Sequence, residues 1–546
     1  MAGKKLILPI LGATVVAAGG AAAYFHFNRP AGDLSSPLAS AKVVPDEAFM
    51  AAFVSTDQTT WSKLSQFGTP EAQKLLTQSL QDLQKSAIKD NKIDFEKDLQ
   101  PWMGDIMVAA LPAQGQAKTP DALIVIGIKD KTAALAFANK MKNEAGVTAT
   151  ETDYKGVKIT KAVNQKNSES PTYMAVLSDY LLIGSSQGSL ERAIDTSKGE
   201  PSLASKPGAE DLLTNGVKVQ NPVARFYVLD YAALFQEMAK TEPSASQFPP
   251  SLVDQLKQIQ GVAFGVGIDD AGVRVKGVGK LIPNSKIQVE YKPAPGKVIA
   301  QFPADTMAML SGAGIKQYWA QVVQQSETVP ESKQAVDLMR GATQMVGVDL
   351  DRDLFGWMDG EFGLAMIPSK EGILAQTGFG GVMVFDTSDR KAAEVAFNKF
   401  DAFAKQNTVS VTQRTVQGKK VTDWIVPGAG GLVSHGWLDD DTVFMAFGSP
   451  MADVITQKPA QPLHESASFK TMTGSLASNN LGYFYLDMDK AVALMKGTIL
   501  ASQDESIPAE TMAILNSIKG VGMTSSQPDK STGEFEMLIS LKPATK

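Results

Sequence analysis

One short phrase occurs twice in this chain, and it limits the available folds more than any other feature. The first copy runs Asp98-Leu99-Gln100-Pro101-Trp102-Met103-Gly104-Asp105 and the second Asp353-Leu354-Phe355-Gly356-Trp357-Met358-Asp359-Gly360. Each follows alternating acids, Asp94, Glu96 and Asp98 in one copy and Asp349, Asp351 and Asp353 in the other. Each leads into an apolar stretch ending in proline, at Pro112 and Pro368. Further blocks repeat at nearly the same separation. Val44-Pro45-Asp46 through Trp61 matches Phe302-Pro303-Ala304-Asp305 through Trp319, and Asp130 through Lys140 matches Asp389 through Lys399. Phe226 through Asp230 matches Tyr483 through Asp487, and Ile259 through Val262 matches Ile518 through Val521. Self-similarity spread over such a span means repetition of a whole domain rather than of a small stacked unit.

The repeat sets the expected domain organisation. A first α+β domain spans residues 44–290, a Pro-rich linker 291–301, and a second α+β domain 302–542. A length of 546 residues is too great for one hydrophobic core and agrees with two. The formal charge of −6 supplies no basic field, so nucleic acid is not expected as a partner. The absence of cysteine excludes disulfides, thiolate metal sites, a cysteine nucleophile and a lipidated-cysteine anchor. Three histidines, His26, His435 and His464, are too few for a multi-histidine metal centre, and no cofactor is expected.

Residues 1–28 read as a membrane anchor. Lys4 and Lys5 precede an uncharged stretch from Leu6 to Phe27, and Arg29-Pro30 ends it. A helix needs about 20 apolar residues to cross the hydrocarbon core. The two lysines favour a cytoplasmic N-terminus, which puts everything after Arg29 in a periplasm or thylakoid-type lumen. The rival is a cleaved signal peptide with Ala21-Ala22-Ala23 near the cut, although the apolar run continues through Phe27. Residues 29–43, rich in Pro, Gly, Ser and Ala, read as a flexible tether.

Within each repeat the expected fold class is α+β: a largely antiparallel sheet with helices packed on one face. Ala122 to Ile128 is a buried strand leading into a helix over Lys131 to Asn143, and Val382 to Phe385 leads likewise into Arg390 to Phe400. Three hairpins are expected: Val147–Thr152 with Gly156–Thr160, Tyr173–Leu177 with Tyr180–Ile183, and Val262–Ile268 with Val273–Val278. Further helices are expected over Pro70–Ile88, Leu190–Asp195 and Tyr231–Ala239.

Val44-Pro45-Asp46, Leu99 through Asp105 and Asp179 through Ile194 make the chain resemble a domain-of-unknown-function family found chiefly in cyanobacterial-type bacteria. The resemblance implies an N-terminal membrane segment and an extracytoplasmic region. It supplies no catalytic residues.

The nearest approach to a catalytic motif is Gly184-Ser185-Ser186-Gln187-Gly188, a G-x-S-x-G string between an expected strand and an expected helix. Ser186 would be the nucleophile, and only His435 or His464, both in the other repeat, could serve as base. The plainer reading is that Gly and Ser turn the chain and cap the helix. Asp94, Glu96, Asp98, Asp349, Asp351 and Asp353 resemble the opening of a calcium loop. An EF-hand needs Gly at its sixth position and an acid at its twelfth. Counting from Asp349 these hold Leu354 and Gly360, and from Asp94 they hold Leu99 and Asp105. The plainer reading puts the acids on the solvent side of an extended segment and makes Trp102 and Trp357 core anchors. Ser388-Asp389-Arg390-Lys391 fits S-x-x-K but reads better as a capped helix start.

The expected function is therefore non-enzymatic: a single-pass membrane protein whose two domains bind or help assemble another protein of the envelope or of a thylakoid-type membrane. The alternatives are an anchored serine hydrolase using Ser186, and a lipid or small ligand held between the repeats.

Overall fold

The computed structural model describes residues 36–78, 95–114, 119–142, 147–164, 167–241, 250–285, 287, 291–327, 330–345, 347–428, 430–499 and 507–544. The expected anchor and residues 29–35 of the expected tether lie outside them. Among the described residues no helix is long and apolar enough to cross a membrane. The chain divides into two compact units. The first comprises Met1–Ser65, Gln73–Asp269 and Val275–Ile287, and the second Gln66–Ala72, Asp270–Arg274 and Gln288–Lys546.

The strands of the first unit are β1 (Met50–Val54), β2 (Met103–Leu111), β3 (Asp121–Ile128), β4 (Val147–Tyr154), β5 (Val157–Asn164), β6 (Asn167–Leu177), β7 (Tyr180–Gly184), β8 (Pro222–Val228), β9 (Ile259–Asp269) and β10 (Gly272–Leu281). They lie in the order β10-β9-β8-β1-β2-β3-β7-β6-β5-β4. Pairing from β8 through to β4 is antiparallel throughout. The expected hairpins are present. Lys155 and Gly156, both at positive φ, make the tight turn between β4 and β5. The helices that matter below are α1 (Lys131–Lys142), α2 (Gln187–Ser197), α3 (Ala209–Thr214) and α4 (Tyr231–Thr241). Of the helix expected over 70–88, residues 70–78 are helical and the remainder lies outside the described residues.

The uninterrupted apolar run of β3 dictates how the layers form. Alternate side chains leave opposite faces of a strand, and in β3 both sets are buried. Leu123 and Val125 join one core with Phe53, Met107, Tyr227, and Leu190 and Ile194 of α2. Ile124, Ile126 and Ile128 join another with Trp102 and Phe137 of α1. Helices thus cover both faces at the centre of the sheet, not one as expected. An antiparallel strand with no polar alternation has no face it can give to water.

The second unit contains β11 (Ala308–Ala313), β12 (Glu361–Pro368), β13 (Phe379–Asp386), β14 (Ser410–Val416), β15 (Lys419–Val426), β16 (Gly430–Trp437), β17 (Thr442–Phe447), β18 (Tyr483–Asp487), β19 (Ile518–Asp529) and β20 (Thr532–Leu541). Their order is β20-β19-β18-β11-β12-β13-β17-β16-β15-β14, again antiparallel. Its helices include α5 (Ile315–Ser326), α6 (Pro330–Met345), α7 (Arg390–Gln406), α8 (Ala467–Thr473) and α9 (Met488–Ile499). Two cores again lie on opposite sides of the central strand. Val382 and Val384 face one, and Phe385 joins Trp357 and Phe397 of α7 in the other.

Three details depart from expectation. The tether expected to reach Val43 is built into the first unit from Ser36, whose hydroxyl accepts from Ala39 N (3.2 Å), and Ser40, Ala41 and Val44 are fully buried. The Pro-rich stretch 291–301 is packed rather than a bare linker. Ala294, Val298 and Ile299 are buried, and Glu361 accepts from Gly296 N and Val298 N at 3.1 and 3.2 Å. Third, the sequence match puts Tyr227 against Phe484, but strand pairing equates it with Tyr485: Tyr227 lies opposite Ala51 in β1, and Tyr485 opposite Met309 in β11. The first unit carries one more residue after this tyrosine. It forms a bulge in which Leu229 N and Asp230 N both donate to Phe49 O (3.0 and 3.3 Å), whereas Asp487 N donates to Met307 O (2.8 Å).

Candidate functional site

The repeated Trp phrase folds alike in both units. Phe95–Leu99 and Leu350–Leu354 are single wide helical turns, and in the second the i→i−5 bonds run from Leu354 N to Asp349 O (3.2 Å) and Phe355 N to Leu350 O (3.1 Å). This corrects the expected extended segment. Trp102 Nε1 donates to Asp98 O (2.8 Å) and Trp357 Nε1 to Asp353 O (3.0 Å), so each indole closes its own turn while its ring fills the core. Both rings are buried, at 4% and 1% exposure. Beyond each Trp, two backbones come into close approach. A Cβ on Gly104 would lie 2.9 Å from Gly127 O, and one on Gly360 would lie 2.6 Å from Asp386 O. Gly104 and Gly360 are therefore counterparts, and Asp359 is one inserted residue.

The acids do not converge. Asp349 caps its turn by accepting from Arg352 N (2.8 Å). Asp351 accepts from Arg340 Nε (2.8 Å) and Trp319 Nε1 (2.6 Å). Asp353, almost wholly buried, pairs with Lys399 and Arg352 and accepts from Asp349 N. Burial alone would raise its pKa, but the hydrogen bonds from Arg352 and Lys399 prevail and hold it well below the usual carboxylate range. In the first unit Glu96 is exposed, Asp98 half-buried, and Asp94 lies outside the described residues. Among the described residues no three His, Cys, Asp or Glu side chains are grouped to hold a metal ion.

Ser186 stands where the sequence put it, between β7 and α2, but its backbone is ordinary extended chain (φ −138°, ψ 158°) rather than a strained elbow. Its Oγ accepts from Ser189 N (3.1 Å) and donates to Asp121 Oδ2 (3.1 Å). Arg192 neutralises that carboxylate at 2.8 Å and reaches Glu47 at 2.7 Å. Space explains Gly184, where a Cβ would lie 2.2 Å from Ser189 Oγ and 2.9 Å from Ser186 O, whereas at Gly188 a Cβ would meet only the end of the flexible Gln114 side chain. The described residues of the first unit contain no histidine. His435, in the second, is buried and paired with Asp401 (2.8 Å); burial would raise the Asp401 carboxyl, but the hydrogen bonds from His435 and Trp424 together hold it below its ordinary value.

A feature that sequence reasoning missed lies wholly in the second unit. A cavity of about 460 Å³ opens between the end of β11, the first turns of α5, the β19–β20 hairpin and Tyr291-Lys292. Its volume is in the range of small-molecule sites. Its lining is drawn from positions scattered over more than two hundred residues of sequence, with no local motif to announce it.

The family model described as "Protein of unknown function (DUF3352)" matches residues 10–541. The chain belongs to this family. No curated protein matches it. The solved structures of crystal forms III and IV of TP0453 are similar to it at 10% identity, with TM-scores of 0.26 and 0.25, over 45% of this chain and 81% of theirs.

Proposed function

We propose that this DUF3352 protein is a single-pass, membrane-anchored binding or assembly protein of a cyanobacterial-type cell. Two homologous α+β domains stand in the periplasm or thylakoid-type lumen and engage another membrane or envelope protein, with no catalysis. The observation that carries this reading is the uncharged Leu6–Phe27 run behind Lys4 and Lys5. The repeated blocks and the identical strand order in the two units support descent of both domains from one ancestor. The use of the Ser186 hydroxyl as a helix cap supports a non-enzymatic role.

The cysteine-free chain allows a clean test. A single cysteine introduced in place of exposed Lys42 should react with a membrane-impermeant maleimide added to intact cells opened only to the periplasm. The chain should also resist extraction by alkaline carbonate. Labelling only after the inner membrane is broken, or release of the whole chain by carbonate, would sink the topology. Proximity labelling from the same position should enrich one membrane or envelope protein reproducibly.

A further inference from the structure

The second-unit cavity carries a chemistry of its own, independent of the membrane reading. Tyr291 and Tyr318 sit at it with 43% and 58% of their surfaces exposed, high for large aromatic rings. Neither phenol hydroxyl, nor the Gln321 amide, nor the Ser525 hydroxyl has a hydrogen-bond partner among the described residues. The charged side chains of the lining are one cation, Lys292, and one anion, Glu534, so the recess has no net charge. Glu534 accepts from the Ser526 hydroxyl (3.3 Å), and Lys292 Nζ lies 3.5 Å from Asp359 O. The Phe362 ring lies close against Gly312 at the floor, where a Cβ would lie 2.7 Å from it.

Exposed tyrosine rings combined with uncommitted amide and hydroxyl groups, in a neutral recess, do not suit a phosphate, a metal ion or an acyl chain. The first two call for net charge, and the third for a lining without unpaired polar groups. They suit a ring with one face of C–H groups and an edge of hydroxyls. We propose that this recess binds one or two units of a neutral sugar, with a C–H face laid on Tyr318 or Tyr291 and hydroxyls bonded to Gln321, Ser525 and the phenols.

The test uses the full chain in a polyoxyethylene detergent, since glucoside and maltoside detergents would compete. It is screened on an array of neutral mono- to tetrasaccharides of glucose, galactose, mannose and N-acetylglucosamine, and the strongest glycan is measured by titration calorimetry. Tyr318→Ala should weaken binding about fivefold to tenfold, and Gln321→Ala should weaken it by about the same factor. Ser186→Ala, in the other unit, should leave affinity unchanged. Tyr318 and Gln321 both lie at the surface, so an unchanged melting temperature will separate loss of binding from loss of fold. No neutral glycan above background, binding only of anionic glycans, or binding that survives both substitutions would overturn the proposal.

Discussion

Two buried tyrosines at one position of the sheet have opposite fates. Tyr485 donates to Ser468 Oγ (2.8 Å) and stands 3.3 Å from Asp487 Oδ2, with Ser468 donating in turn to Asp487 at 2.7 Å. Tyr227, just as buried, has no partner for its hydroxyl among the described residues. Burial pushes both phenols far up. The difference comes from two small changes. The place of Ser468 in α8 is held in the first unit by Gly208, just ahead of α3, because Leu212 lies against Gly261 as Met472 lies against Gly520. The extra residue in the first unit also sets Leu229, not a carboxylate, two positions beyond Tyr227. A one-residue shift in a strand reverses which side chain faces the core. The second unit thus filled a polar pair where the first left an orphan.

The largest expected effects test how far the two units are alike. Trp357→Ala and Trp102→Ala should each cost about 3–5 kcal/mol by chemical denaturation. Trp357 should cost more, because it meets both Phe385 and Phe397 (5.6 and 5.8 Å) while Trp102 meets Phe137 (5.7 Å). Equal losses would mean that the added ring contacts contribute nothing.

The tyrosines should then part company. Tyr485→Phe removes the donor to Ser468 and should destabilise by about 1 kcal/mol, whereas Tyr227→Phe removes an unsatisfied group and should be neutral or stabilising. Equal melting shifts for the two would break the contrast.

Acidity gives a third difference. Burial pushes the Asp386 carboxyl up to about 6, against a hydrogen bond from the Thr442 hydroxyl (3.1 Å), whereas the first unit has Gly127 at this place. The folded chain holds this proton more tightly than the unfolded chain, whose Asp titrates near 3.8. Its contribution is therefore fully present below about pH 4 and lost as pH rises through about 6. Asp386→Asn should stabilise by about 1–2 kcal/mol at pH 7, a value reduced for the solvent that reaches this half-buried group, and by nothing at pH 3. A gain that does not vary with pH would contradict this assignment.

The smallest effect concerns Ser186. Ser186→Ala should cost about 1 kcal/mol as a lost cap, and a fluorophosphonate probe should label neither wild type nor variant. Labelling of the wild type that the substitution abolishes would restore the hydrolase reading.

Much of this architecture was legible in the sequence. The continuous apolar run of β3, the hairpins around Lys155-Gly156 and Ser178-Asp179, and the helix after Asp130 all follow from local periodicity and turn chemistry, which act over a few residues. The wide turn ahead of each Trp was not legible, because alternating acids look the same on a strand and on one helical turn. Nor was the true partner of Tyr227, because a bulge is invisible until strands pair.

The sequence alone determined that the chain contains repeated blocks, that each is a mixture of helices and antiparallel strands, and that Trp102 and Trp357 are core residues. These depend on hydrophobic pattern, which is local. Only the tertiary structure decided that both sheet faces are covered, that Asp351 turns to Arg340 and Trp319 while Asp353 turns inward to Lys399, and that Tyr291, Tyr318 and Gln321 line one recess. Those facts depend on which distant segments meet, and long-range pairing is set by the packing of the whole unit rather than by any stretch of it.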